Sequence, residues 1–276
     1  MNVAAIVLNW NRPQETAACC QALAAQSHRD LHIWVIDNGS TANTADDLRR
    51  TCPNAIVIRL DENRGFAGGV NVGIRAAQSK EHMDFYWLVN NDALCEPETL
   101  ERMLEVAQRD PQIAAIGCET IEGAEGNTKR VAAGKRLRPP FYIPLEAKTA
   151  DKVDYICGAS LLIRSEALED VGLLNENYFF LFEDADWAFR AKHKGWKIAV
   201  AEGDLVRHTG SATVGTLSRL QAAHYRASYI RFLRDHARCP RLAATLVTGY
   251  RLLIYALSGH WQAFAGTLDG WKRGWR

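Results

Sequence analysis

The chain has almost no net charge: 33 Lys and Arg stand against 32 Asp and Glu, a formal +1. That near-balance removes the overall basic character of a nucleic-acid-binding domain, and no nucleic-acid partner is expected. Its seven cysteines, at 19, 20, 52, 95, 118, 157 and 239, include no C-x-x-C pair and no zinc-ligand spacing. Free thiols in a reducing cytoplasm are therefore the expectation. Met1 leads straight into a strand-like segment, so no signal peptide is expected. Internal repeats and low-complexity tracts are missing as well. No G-x-G-x-x-G follows the first strand-like run, which disfavours a dinucleotide-dependent oxidoreductase.

What is present is 276 residues with 47% hydrophobic content, enough for one large α/β domain or two small ones. Charge is unevenly spread. From Arg219 to the end, ten Lys and Arg face only Asp235 and Asp269, leaving 23 basic and 30 acidic residues before them. The body is acidic and the tail basic.

Apolar runs at 3–8, 31–36, 55–60 and 85–89 alternate with helical patterns at 13–26, 46–50 and 69–78. Such alternation predicts a mostly parallel central sheet with helices on both faces. Polar groups at strand C-termini then share one edge, where these sheets bind ligands, and Asn9, Asp37 and Asp92 fall on it. A helix is expected over 98–108, whereas 119–152, rich in Gly, Lys, Arg and Pro, reads as a loop excursion. Order resumes with a strand over 156–164 and a short helix over 165–171 capped by Gly172. A further helix starts at Asp184 or Asp186 and stops at Gly195. Helices over 216–236 and 242–257 complete a basic, amphipathic C-terminal region, 216–276, behind a catalytic domain expected over 1–215. The second of these, 16 residues interrupted by Arg251, is too short for a convincing membrane span. Its stripe of Leu242, Leu246, Gly249 and Leu253, with Trp271, Lys272, Arg273, Trp275 and Arg276 beyond, suits peripheral contact with a membrane surface. Packing of that stripe on the body, or on a second copy in a homo-oligomer, is the alternative.

Chemistry concentrates in Phe182 to Arg190, where Glu183, Asp184 and Asp186 follow an apolar run. Carboxylates so placed repel one another and cost desolvation, so stability alone rarely keeps them. Asp186 serves equally well as a helix N-terminal cap. A second acidic spot, Asn90-Asn91-Asp92, ends another apolar run, and His208 adds an imidazole downstream. Carboxylate, imidazole and a separate carboxylate base suit a divalent metal that holds a diphosphate while a hydroxyl is deprotonated nearby. Between strand and helix, Glu62 to Gly73 carries four glycines, which let backbone approach a phosphate. Asn63 and Asn71 in this stretch suit contact with a sugar or base, or turn formation.

The ordered set Val7-Leu-Asn-Trp-Asn, Val35-Ile-Asp-Asn-Gly-Ser, Asn63-Arg-Gly-Phe-Ala-Gly-Gly, Leu88-Val-Asn-Asn-Asp and Phe180-Leu-Phe-Glu-Asp-Ala-Asp-Trp resembles family 2 glycosyltransferases, closest to the bacterial rhamnosyltransferase-like branch. The resemblance runs from about residue 3 to residue 237. It implies a GT-A fold, a nucleotide-diphosphate-sugar donor, Mg²⁺ or Mn²⁺, and inversion at the anomeric carbon. By the same resemblance Asn9, Asp37, Asn63, Gly68, Asn71, Asn90 and Asn91 contact the nucleotide sugar, while Asp92 and His208 hold the metal. Asp184 is then the catalytic base, with Glu183 and Asp186 supporting the acceptor. The expected reaction moves a sugar, first choice L-rhamnose from its deoxythymidine-diphosphate donor and second a UDP-sugar, to a glycan or lipid-linked acceptor at the inner face of the plasma membrane. Asn90 departs from the family's D-x-D pattern and brings no charge, which reduces the metal site by one carboxylate. A non-catalytic nucleotide-sugar-binding partner protein is the rival of another class.

Overall fold

The structure, a computed structural model, describes residues 1–41, 44–122, 129–131, 134–147, 152–156, 159–208 and 218–276. Its elements run β1 (Val3–Asn9), α1 (Pro13–Ala24), β2 (Leu31–Asn38), α2 (Thr44–Thr51), β3 (Ala55–Leu60), α3 (Gly65–Lys80), β4 (Phe85–Asn90), β5 (Ala93–Cys95), α4 (Thr99–Arg109) and β6 (Ile113–Glu122). There follow β7 (Lys129–Val131), β8 (Gly134–Arg138), β9 (Ile143–Glu146), β10 (Tyr155–Ile156), β11 (Ser160–Arg164), α5 (Ser165–Val171), α6 (Glu183–His193), β12 (Lys197–His208), α7 (Arg219–His236), α8 (Pro240–Leu257) and α9 (Trp261–Gly274).

The main sheet has the order β3-β2-β1-β4-β11-β6-β12-β5, with β7 beside β6. Six of its nine strands run one way; only β5, β7 and β11 oppose them. Period-2 alternation along these strands divides the core into two layers. Val3, Ala5, Val7, Ile33 and Val35 meet Cys19 and Leu23 of α1, Leu48 of α2 and Met103 of α4. Ala4, Ile6, Trp34 and Ile36 meet Val70 and Ile74 of α3, Leu168 of α5 and Trp187 of α6. Strands buried on both faces read as continuous apolar runs, which is why β1, β2 and β4 are visible in the sequence.

Three expectations are corrected. Residues 134–146 are not loop: β8 and β9 pair antiparallel, and β10 joins them in a separate three-stranded sheet. Their exposed faces carry Arg138, Ile143 and Glu146 without a continuous apolar run, so periodicity is weak there. The Leu242–Leu246–Leu253 stripe does not pack on the body; these residues are 62%, 52% and 58% exposed, and α8 buries Ala243, Ala244 and Thr248 instead. The helix expected from Asp184 or Asp186 starts at Glu183.

A third core joins the C-terminal helices to the rest, with Tyr229, Phe232 and Leu233 of α7 against Tyr178, Phe182 and Ala188. Helix α9 lies close on α7 because Gly266, Gly270 and Gly274 recur every fourth residue. A Cβ at Gly266 would stand 2.1 Å from the Arg219 carbonyl and one at Gly270 2.4 Å from that of Ala223. The expected domain boundary at 215/216 lies outside the described residues, as does Cys157. The other six cysteines form no disulfide among the described residues. No helix among these residues is long and apolar enough to cross a membrane.

Candidate active site

Parallel pairing sets the ends of β1, β2 and β4 side by side, with Asn9 opposite Asp37 and Leu8 opposite Asn90. Asn9 is fully buried and organises this edge: its amide donates to Asp37 Oδ1 (2.9 Å) and Ser40 Oγ (3.2 Å), and its carbonyl accepts from Thr16 Oγ1 (2.8 Å). Asp37 is equally buried, and its Oδ2 has no hydrogen-bond partner among the described residues. Its neighbour Asn38 ties β2 to the glycine-rich turn, donating to Asn63 Oδ1 and to the Gly65 carbonyl, both at 3.0 Å, and accepting from the Arg64 amide at 3.0 Å.

Above this edge lies a cavity of about 430 Å³, within the size range of small-ligand sites. Its lining includes Asn38, Asn63, Asn90, Asn91 and Asp92 from the strand ends and the glycine turn, Trp10 and Arg12 after β1, Phe179 and Phe180 before α6, and Leu220, Gln221 and His224 of α7. Gly65 shapes the turn. It has φ +73°, and a Cβ there would stand 2.3 Å from the Phe179 carbonyl, which accepts a hydrogen bond from the Phe66 amide at 2.9 Å. Gly65→Ala is expected to cost roughly 2 kcal/mol or more, lowering the melting temperature by about 4–8 °C. A thermal melt matching the parent would show that the turn relaxes freely.

Asp92 and His208 meet because β5 pairs antiparallel with β12, putting Ala93 opposite His208. Asp92 Oδ1 lies 3.0 Å from His208 Nε2, with side chains only 11% and 10% exposed. Among the described residues no group of three or more His, Cys, Asp or Glu could hold a metal ion. A carboxylate beside an imidazole is nonetheless a donor set that would suit a divalent cation shared with a substrate diphosphate, since Mg²⁺ sites use one or two protein carboxylates plus substrate phosphates. Asn91 donates to Thr16 Oγ1 at 3.1 Å, which steadies the turn carrying Asp92.

The acidic triplet separates into three environments. Leu181 and Phe182 have φ of +69° and +70°, a left-handed pair that costs backbone strain and delivers Glu183 directly into α6. Glu183 is buried, and its Oε2 has no partner; desolvation first, then Asp184, pushes its carboxyl well above the usual range. Asp184 is half-buried in the first turn, its Oδ1 accepting from the Ala185 amide at 2.7 Å. Asp186 is bound on both oxygens, by Arg190 Nε (2.9 Å) and His236 Nε2 (2.8 Å), so it ties α6 to the end of α7.

A carboxyl raised on folding makes the folded chain hold a proton that the unfolded chain releases above the ordinary Glu range. Stability is then lost as pH rises from that range, approaching about 1.4 kcal/mol per pH unit, until the folded value is passed. Glu183→Gln removes the penalty. It is expected to melt with the parent near pH 4 and above it near pH 8; equal melting temperatures throughout would contradict a neutral buried Glu183.

Of the residues singled out by sequence, Asn63, Asn90, Asn91 and Asp92 line the cavity, Asn9 and Asp37 lie beneath it, and Asp92 meets His208. Gly68, Asn71, Glu183, Asp184, Asp186 and His208 are outside the cavity lining. Asn71 donates to the Leu174 carbonyl (2.8 Å) and to Glu176 Oε1 (2.9 Å), and accepts from the Leu174 amide (3.2 Å). Sequence reasoning missed Trp10, Arg12, Asn38 and the α7 wall. Asn38 stands in the Val35-Ile-Asp-Asn-Gly-Ser stretch of the resemblance, whereas His224, stacked on Phe179 with ring centroids 4.7 Å apart, has no local signal at all.

This α/β architecture, with a cavity over the strand ends, is that of the GT-A glycosyltransferases. A mannosyltransferase from Pyrobaculum calidifontis, solved with GDP-Man and Mn²⁺, superposes with a TM-score of 0.63 at 14% identity, covering 99% of this chain and 87% of its own. TarS of S. aureus gives 0.59 at 15% identity over 92% of this chain and 44% of its own. The profile of Glycosyl transferase family 2 matches residues 4–172, and the chain belongs to that family. An N-acetylglucosaminyl-diphospho-decaprenol L-rhamnosyltransferase from Mycobacterium tuberculosis is 26% identical over 244 residues, 78% of each chain. A low-salt glycan biosynthesis hexosyltransferase from Haloferax volcanii is 24% identical over 59% of this chain and 54% of its own.

Proposed function

We propose that this glycosyltransferase moves L-rhamnose from a deoxythymidine-diphosphate donor to a hydroxyl of a lipid-linked or polysaccharide acceptor, with inversion. The observation that carries the reading is the cavity at the strand ends, lined by Asn38, Asn63, Asn90 and Asp92, with His208 in contact with Asp92 behind that lining. Similarity to a rhamnosyltransferase over 78% of the chain supports the sugar. Asp37, with a buried unpaired oxygen, would accept an N–H of the base, and Asn63 and Asn90 would meet sugar hydroxyls.

Asp92 and His208 would hold Mg²⁺ or Mn²⁺, which supplies positive charge opposite the leaving nucleoside diphosphate. Asp184 takes the proton from the acceptor hydroxyl as that oxygen attacks the anomeric carbon; the sugar–phosphate bond breaks and its electrons leave with the diphosphate. A single displacement inverts the configuration. Phe179, Phe180 and His224, which line the cavity, would exclude water from the bound sugar. Asp186 positions α6 through His236 and Arg190 and takes no part in proton transfer.

Thermal-shift screening of nucleotide-diphosphate sugars with Mn²⁺ tests the donor, because a ligand bound only by the folded state raises the melting temperature. The deoxythymidine-diphosphate rhamnose donor is expected to give the largest shift. A larger shift from a UDP-sugar would move the donor assignment, and no shift from any would remove the transferase reading.

A further inference from the structure

A second, smaller cavity of about 230 Å³ lies between α7, α8 and the turn leading into β9. Phe141, Ile143, Leu246 and Tyr250 give it apolar walls and an exposed apolar rim, with Arg226 and Arg251 among its lining. Arg226 is only 3% exposed, and its Nε and Nη1 have no hydrogen-bond partner among the described residues. Its guanidinium sits over the Tyr229 ring, 5.2 Å from the centroid, and the other groups that act on its charge are Tyr225, Arg251 and Tyr255. Among the described residues, no carboxylate is one of them.

Burying a guanidinium without a counter-ion is unfavourable, and a second cation beside it makes matters worse. The planar fork is also the side chain best suited to grip a phosphate with two hydrogen bonds. A bare anion would leave the apolar walls wet, so the matching ligand carries its phosphate on a hydrocarbon chain. The exposed row Leu246, Tyr250, Leu253 and Leu257 continues the apolar surface along α8 for such a chain to follow. Helix α7 links this groove to the donor cavity: Leu220, Gln221 and His224 line the one, Tyr225, Arg226 and Tyr229 the other. From His224 to Tyr229 is about 8 Å of helix, and Phe182, two residues before Asp184, packs against Tyr225 and Tyr229.

We infer that this groove binds the phosphate and first carbons of a lipid-phosphate carrier, on Arg226 and Arg251, so that the attached acceptor sugar reaches the catalytic cavity. The acceptor role rests on the transferase reading; the lipid-phosphate site itself is tested without turnover.

The experiment titrates the full-length protein with farnesyl diphosphate, inorganic pyrophosphate, and vesicles of phosphatidylglycerol or phosphatidylcholine. Saturable binding of farnesyl diphosphate is expected, at least about tenfold tighter than pyrophosphate and weakened at least about tenfold by Arg226→Met. Without ligand, Arg226→Met should melt at or above the parent's temperature, because an unpaired buried charge is gone, and a donor-induced shift should persist. Equal affinity for pyrophosphate, binding to phosphatidylglycerol vesicles alone, undiminished binding by Arg226→Met, or a lowered melting temperature with binding retained would each overturn the inference. Should Arg226→Met fail to fold, Arg251→Gln decides: weaker farnesyl diphosphate binding supports the site and unchanged binding overturns it. Loss of the donor shift in the parent, with farnesyl diphosphate still bound, would end the transferase reading and leave the site standing.

Discussion

Asp184→Asn should bind donor nearly as the parent does while turning over about 10²- to 10⁴-fold more slowly, the range expected when a general base is lost. The substitution preserves size and keeps an oxygen to accept from the Ala185 amide, so the first turn of α6 stays formed. What it removes is the proton acceptor. Glu183 cannot substitute, because it is buried and its carboxyl is pushed toward the neutral form. Asp186 cannot either, since Arg190 and His236 occupy both its oxygens. Steady-state turnover beside a direct measurement of donor affinity separates the two effects. Parent-like turnover would refute the assignment, and a matching loss of donor binding would place Asp184 in the donor site instead.

Asp92→Asn is the second large effect. With Asn at position 90, Asp92 is the only carboxylate of the Asn90-Asn91-Asp92 turn, and His208 alone would remain of the pair. A metal contributes several kcal/mol of charge stabilisation at a leaving phosphate, so turnover should fall about 10²- to 10³-fold. Unlike Asp184→Asn, this variant should also lose Mn²⁺-dependent donor affinity. Full turnover in saturating Mn²⁺ would show that position 92 is not a metal ligand.

Which parts of the molecule the sequence discloses follows from burial. Strands β1, β2 and β4 are apolar runs that end in polar residues, and their parallel pairing is what sets Asn9, Asp37 and Asn90 along one edge. Strand β12 hides because Glu202, Gly203 and Asp204 interrupt it where its register with β6 shifts, between Ala201 and Val206. Helix α9 hides because its glycines, poor helix formers in isolation, serve contact with α7. The Asp92–His208 contact spans 116 residues, so no local pattern states it. Their residue types suit a shared metal, and the family resemblance is what pairs the two positions. Asp186 shows the reverse: adjacency in sequence groups it with Asp184, yet successive helical residues point different ways, and only the fold reveals that His236 holds it.

Calorimetric titration of a nucleoside diphosphate, UDP or dTDP, with and without Mn²⁺, into the parent and Asp92→Asn tests the central claim most directly. Saturable binding that needs Mn²⁺ and is lost in the variant is the predicted result. Binding of equal strength in chelator, or undiminished in Asp92→Asn, would contradict a metal-assisted diphosphate site at the strand ends.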